Sequence, residues 1–158
     1  MSLPPFQRLV DAHATSVHRY LVAAVGRDDA ADAFQETFLA ALRAYPELRS
    51  AENLRGWLFT IARNKALDSH RARARRPVPL AAVPEDVLLD DTEPTSPVWE
   101  AVRRLPDRQR HAVLLRYAGD LPYREVALAM GVTEVAARQH ASTGVRALRK
   151  GEWDDDGG

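Results

Sequence analysis

The sequence predicts an all-α protein of two small helical domains joined by a flexible linker. Apolar residues recur at three- and four-residue spacing through most of the chain, with no strand alternation, hairpin signal or internal repeat. Pro77, Pro79, Pro84, Pro94 and Pro97 break any regular element in between. Charge is segregated in the same way. The formal net charge is zero, but residues 43–76 and 101–150 are strongly basic, whereas 77–100 carry acidic side chains and no Lys or Arg. These features set the boundaries: a first domain at 1–76, an acidic proline-rich linker at 77–97, a second domain at 98–150 and an acidic tail at 151–158.

The first helix is expected from about Pro4 to Val25, with Phe6, Leu9, Val10, His13, Val17, Tyr20, Leu21 and Ala24 as its stripe. Prolines suit a first turn, where no N–H is needed, and Gly26 ends the helix. Asp28 or Asp29 would cap a second helix reaching Tyr45, with a stripe of Ala31, Phe34, Phe38, Leu42 and Tyr45, stopped by Pro46. Asn53 would cap a third, whose stripe is Leu54, Trp57, Leu58, Ile61 and Ala62. The stretch 77–97 reads as extended. Helices resume at Ser96-Pro97, with Val98, Ala101, Val102 and Leu105 inward, then Val113, Leu114 and Tyr117 up to Gly119. Pro122 opens a short helix, Tyr123 to Met130. Gly131 supplies a left-handed turn residue, and Thr133 caps a last helix from Glu134 to about Lys150, with a disordered tail beyond.

The third helix organises the chemistry. Arg55, Arg63, Asn64, Lys65 and Ser69 fall largely off its stripe, and it runs into Arg71, Arg73, Arg75 and Arg76. A core-anchored helix with an Arg/Asn outer face suits a polyanion, nucleic acid first. Taken alone, it also fits an ordinary amphipathic helix with solvated arginines. The second basic unit and the acidic stretch between them weigh against that plainer reading.

Residues Tyr123–Arg149 have the layout of a helix-turn-helix, whose second helix enters the major groove. Its N-terminal half offers Glu134, Arg138, Gln139, Ser142 and Thr143 to base edges. Arginine can fork onto guanine and glutamine onto adenine. Arg110, Arg116, Arg124, Arg146 and Arg149 suit phosphates, which position without specifying. A helical hairpin in a protein-binding module is the competing reading.

Other chemistry is thin. Zero cysteines exclude disulfides and thiolate chemistry and suit a reducing cytoplasm. The five histidines show no metal-ligand spacing, and no phosphate-cradling glycine loop occurs. No apolar run approaches the roughly 18 residues of a membrane span, and MSLPPFQRLVDAH lacks a signal pattern. The expectation is a non-enzyme with no metal and no cofactor, not inserted in a membrane and monomeric when free.

Several stretches together resemble the extracytoplasmic-function (ECF) sigma factors, promoter-recognition subunits of bacterial RNA polymerase. They are DAFQETF (Asp32–Phe38), RGWLFTIARN (Arg55–Asn64) with Asp68, LPDRQR (Leu105–Arg110), LRY (Leu115–Tyr117) and LPYREVA (Leu121–Ala127) with the turn after it. The resemblance covers about residues 6–150. It implies that Asp32, Gln35, Glu36 and Phe38 meet the coiled-coil clamp of the beta-prime subunit, with the beta flap as a further polymerase contact. It implies that Asn53, Arg55, Arg63 and Asn64 capture a flipped base of the minus-10 element, with Arg71 and Arg75 on upstream phosphates. An amide can read a splayed base edge while cations hold the single strand. Trp57 lies on the apolar stripe, which favours a core role over base stacking. Minus-35 recognition falls to the last helix and its surroundings: Arg110, Arg124, Glu134, Arg138, Gln139, His140, Ser142, Thr143 and Arg146.

That last helix departs from the family pattern. Gln139 stands where serine is common, and His140 and Thr143 stand at usual arginine positions; Val135 and Gly144 are unusual too. The minus-35 sequence is left open and the phosphate grip should be weaker. The resemblance also brings in an anti-sigma factor as a partner. A polymerase-independent helix-turn-helix regulator and a sigma mimic that binds only protein are the alternatives.

Overall fold

The structure, a computed structural model, describes residues 3–75 and 97–157, with side chains at 3–69 and 97–150. The acidic stretch and Arg76 lie outside the described residues. Those described form α1 (Phe6–Val25), α2 (Arg27–Ala44), a 3₁₀ turn (Tyr45–Glu47), α3 (Leu54–Arg75), α4 (Pro97–Arg103), α5 (Asp107–Val113) continuing as a π-helical turn (Leu114–Ala118), α6 (Tyr123–Met130) and α7 (Glu134–Gly157). No strand occurs among them.

The first half is a three-helix unit. Its first helix begins at Phe6 rather than Pro4, because Pro5 sits at ψ 142°, outside the helical range. Gly26 takes φ 87° and donates its N–H back to Val22 O at 2.9 Å, so the chain reverses without a Cβ in the left-handed region. The next helix begins at once, which leaves Asp28 and Asp29 in its first turn, not at its cap. There they face the positive end of the helix dipole.

The buried face of α2 is also not the expected one. Ala30, Ala33, Thr37 and Ala41 are buried, with Phe34 and Phe38 half-buried, whereas Ala31 and Leu42 are exposed. Small side chains let α1 and α3 approach closely, and the Thr37 hydroxyl donates to Ala33 O at 2.7 Å. Phe34 and Phe38 stack on each other at 4.8 Å, and the Tyr45 hydroxyl donates to Pro4 O.

Asn53 precedes α3 with φ 58°, a conformation asparagine tolerates better than most residues. Trp57 donates its N–H to Asn53 O at 2.9 Å, so the helix does start there. Leu58, Phe59, Ala62 and Ala66 are buried, while Leu54, Trp57 and Ile61 are only partly so. Phe59 lies off the predicted stripe. It is fully buried because the second half of the chain covers it.

The two halves pack on each other. A Cβ placed on Gly119 would lie 3.0 Å from the ring of Phe59, which meets Tyr20 of its own half edge-on at 5.5 Å. Arg103 reaches across and donates to Ala23 O at 2.8 Å, satisfying a carbonyl in the last turn of α1. Val22 and Ala23, buried though outside the predicted stripe, are covered at the same seam. Tyr20, Arg103, Arg110, His111 and Leu114 line a small pocket there, and burial pushes the Tyr20 hydroxyl far above its usual pKa.

In the second half Val102 and Leu105 are buried, but Val98 is exposed. Tyr117, expected inward, is 54% exposed. The π-helical turn adds one residue to the helical cycle and rotates the residues after it away from the core. Gly131 takes φ 70° as expected, and the Thr133 hydroxyl accepts from Ala136 N–H at 3.1 Å. The last helix continues to Gly157, where a disordered tail was expected; no proline interrupts it.

His13, on the α1 stripe, is half-buried. Burial first, and the Arg55 charge second, hold its pKa below the usual 6.5, with Glu125 opposing. The unfolded chain therefore takes up this proton first as pH falls. Stability is untouched well above pH 6.5 and is lost as pH drops below it. A His13→Asn variant should lose less thermal stability than the parent between about pH 7 and about pH 5.5. Identical pH slopes for the two proteins would contradict this assignment.

Candidate nucleic-acid and polymerase interfaces

Three surfaces hold the residues singled out from the sequence. On α3, Asn64 is exposed and Arg63 is half-buried, with its Nε buried and without a hydrogen-bond partner. Asn53 is exposed directly ahead of the helix. Arg71 and Arg75 lie in the last turns of α3, and their side chains fall outside the described ones. Arg55 is not presented freely. Its Nε and Nη2 donate to the two carboxylate oxygens of Glu125 at 2.7 and 3.1 Å, and that bond raises its pKa.

The second surface is the outer face of α2. Asp32, Gln35 and Glu36 are all exposed on it, and Phe38 packs inward against Phe34. Leu39 and Leu42 are 45% and 51% exposed and continue the same row at helical spacing. Two leucines in water beside carboxylates form an amphipathic strip suited to another helix. The spacing from Asp32 and Gln35 is the signal available in the sequence for Leu39. Leu42 falls instead on the stripe expected to face the core.

The third surface is the helix-turn-helix, α6 with α7. Glu134, Arg138, Gln139, Ser142 and Arg146 are exposed along α7, while His140 and Thr143 are half-buried. Ala137, Ala141 and Gly144 face inward. The unusual Gly144 has a packing reason: a Cβ there would lie 2.8 Å from Val113 and 3.3 Å from Gln109, so glycine lets α5 and α7 approach. Val135 is 74% exposed in the first turn of α7, an apolar group of the kind that can meet a thymine methyl.

Arg138 is held before any ligand arrives. Glu134 lies 3.4 Å from its Nη2, and its guanidinium carbon sits 4.5 Å from the Tyr123 ring centre. Arg116 sits 4.8 Å from the same ring and donates to Leu121 O at 2.9 Å. Arg124 is exposed on α6. Arg110 departs from the expected row. Its side chain is 14% exposed, pairs with Asp107 at 3.0 Å and lines the pocket between the halves.

Two families match the chain, one in each half. The Sigma-70 region 2 family matches residues 9–76, and the Sigma-70 region 4 family matches residues 96–148. SigL of Mycobacterium tuberculosis, an ECF RNA polymerase sigma factor, is 30% identical over 151 residues, covering 89% of this chain and 85% of SigL. The chain belongs to the ECF sigma factor family.

BldN of Streptomyces coelicolor, an ECF RNA polymerase sigma factor too, is 33% identical over 162 residues, and the match covers 95% of this chain. It spans 61% of BldN, so the present ECF sigma chain corresponds to about three fifths of that relative. Among solved structures, Bartonella quintana RpoE in complex with the anti-sigma factor NepR superposes with a TM-score of 0.71 at 22% identity, covering 92% of this chain and 94% of that one. CnrH in complex with the cytosolic domain of CnrY gives 0.70 at 21% identity, covering 96% and 88%. Both share the fold of this chain over nearly its whole length. Among the described residues no group of three or more metal-ligating side chains occurs, and no helix is long and apolar enough to cross a membrane.

Proposed function

We propose that this ECF sigma factor binds core RNA polymerase and directs it to promoters with two recognition elements. The observation that carries the reading is the exposed Asn64 on the outer face of α3, whose inner face is anchored by Leu58 and Ala62. An amide held on a rigid helix, beside cations, is suited to a base splayed out of a melted strand. The outer face of α2, Asp32, Gln35, Glu36, Leu39 and Leu42, would meet the beta-prime clamp. Arg138, Gln139 and Val135 would read minus-35 bases, and Arg124 and Arg146 would hold phosphates. On this reading the first domain would take residues 1–76 and the second residues 98–150. An anti-sigma factor is a fitting further partner, because RpoE and CnrH were each solved with a protein bound, an anti-sigma factor in the case of RpoE.

Run-off transcription with purified core polymerase tests the reading through Asn64→Ala. A well-placed base contact is worth roughly 1–3 kcal/mol. Initiation should therefore fall about tenfold to a hundredfold while comigration with core polymerase is kept. Full initiation by the variant would contradict the role given to Asn64.

A further inference from the structure

We propose that Tyr123 is a positioning residue for base recognition: its ring holds Arg138 in place, and so sets how sharply the chain discriminates the base that Arg138 reads. The inference rests on the proposed function and adds a residue that its minus-35 reading needs. Tyr123 opens α6, and Arg138 lies in the second turn of α7. The Arg138 guanidinium carbon sits 4.5 Å from the Tyr123 ring centre, within the roughly 6 Å of a cation–π contact. Tyr123 is half-buried and packs against the core, whereas Arg138 is exposed. The ring is thus the fixed partner, and the guanidinium is the one that meets solvent.

Two neighbours fix the ring in turn. Arg116, from the π-helical turn, places its guanidinium carbon 4.8 Å from the same ring centre and donates to Leu121 O at 2.9 Å, so it is tied to backbone. Tyr117 shares a side-chain hydrogen bond with Tyr123; burial first, then the field of Tyr123 and that bond, raise the Tyr117 pKa. The turn between the two helices is set as well. Val132 N–H donates to Ala127 O at 3.1 Å, Gly131 takes φ 70°, and the Thr133 hydroxyl caps α7.

Glu134 also touches Arg138, at 3.4 Å, but this pair is the weaker hold. The two side chains are 53% and 59% exposed, and an exposed pair at this spacing shifts an equilibrium only about twofold. DNA phosphates repel the Glu134 carboxylate as α7 enters the groove, whereas a neutral ring keeps its contact. Positioning matters more here because the cation has no substitute. Between residues 134 and 143 Arg138 is the one Lys or Arg. A free arginine loses much rotamer freedom when its fork locks onto a guanine, and a side chain held beforehand loses less.

The test uses holoenzyme assembled from core polymerase and the full chain, presented with promoter fragments randomised over the upstream element. Sequencing of the bound fragments reads base preference position by position. Arg138→Ala should flatten one position about tenfold or more, which marks the base that Arg138 reads. Tyr123→Leu should flatten that same position about fivefold and leave the others as in the parent. Tyr123→Phe keeps the ring and should keep the parent's preference. In an Arg138→Ala background, Tyr123→Leu should cost nothing further at that position. Preference is a ratio among bound sequences, so a lower folded fraction does not alter it. Unchanged preference in Tyr123→Leu would overturn the proposal, as would an equal loss at every position, or Tyr123→Phe behaving as Tyr123→Leu does. An Arg138→Ala chain with no flattened position would instead remove Arg138 from minus-35 reading, and the role of Tyr123 with it.

Discussion

Replacing Phe59 with alanine is expected to destabilise the protein by about 3–5 kcal/mol. The ring is fully buried, stacks on Tyr20 at 5.5 Å and fills the space against Gly119. Truncation removes its transfer free energy and leaves a cavity whose walls belong to two halves of the chain. Those walls cannot collapse without sliding the halves along the seam, so relaxation is limited and the upper part of the range applies. Whole domains are stable by only about 5–15 kcal/mol, so the variant should melt at least about 10 °C below the parent. A loss under about 1 kcal/mol in denaturant titration would mean that the second half does not cover Phe59 in solution.

The second large effect belongs to α2. Leu39→Asp with Leu42→Asp should weaken binding to core polymerase by a hundredfold or more, roughly 3 kcal/mol, the size of effect seen when anchor residues are lost. Both leucines are about half exposed in the free chain, so they contribute little to folding. A carboxylate placed there would be desolvated without a partner once a clamp helix docks. Thermal stability should stay within about 0.5 kcal/mol of the parent. Wild-type affinity in a pull-down, or a melted variant, would show that this row is not the docking face.

Much of this was legible because local rules were enough. Gly26 and Gly131 end their helices and Thr133 caps α7, each from composition and spacing alone. The α2 face was misread because two registers at three-to-four spacing compete there. The register with the larger side chains, Ala31, Phe34, Phe38 and Leu42, looks the more apolar. Close helix packing instead selects the one with Ala30, Ala33, Thr37 and Ala41. Phe59, Val22 and Ala23 were invisible for a different reason. Their burial depends on a partner that is distant in sequence, and no window along one helix contains it. Tyr117 was lost to the π-helical turn, which shifts the periodicity by one residue.

The same distinction runs through the candidate site. Asn64 and Arg138 stand out by residue type and helical position, and both are exposed. Arg55 and Arg110 also stand out by type, yet one is held by Glu125 and the other pairs with Asp107 at the seam. Charge in a sequence shows what a residue can bind, whereas the fold decides what already occupies it.

The measurement that bears most directly on the sigma reading is run-off transcription by core polymerase and this chain on a library of random promoter fragments. The enriched templates should share two short elements at a fixed spacing, with initiation dependent on the chain. Absence of both initiation and comigration with core polymerase would contradict the account.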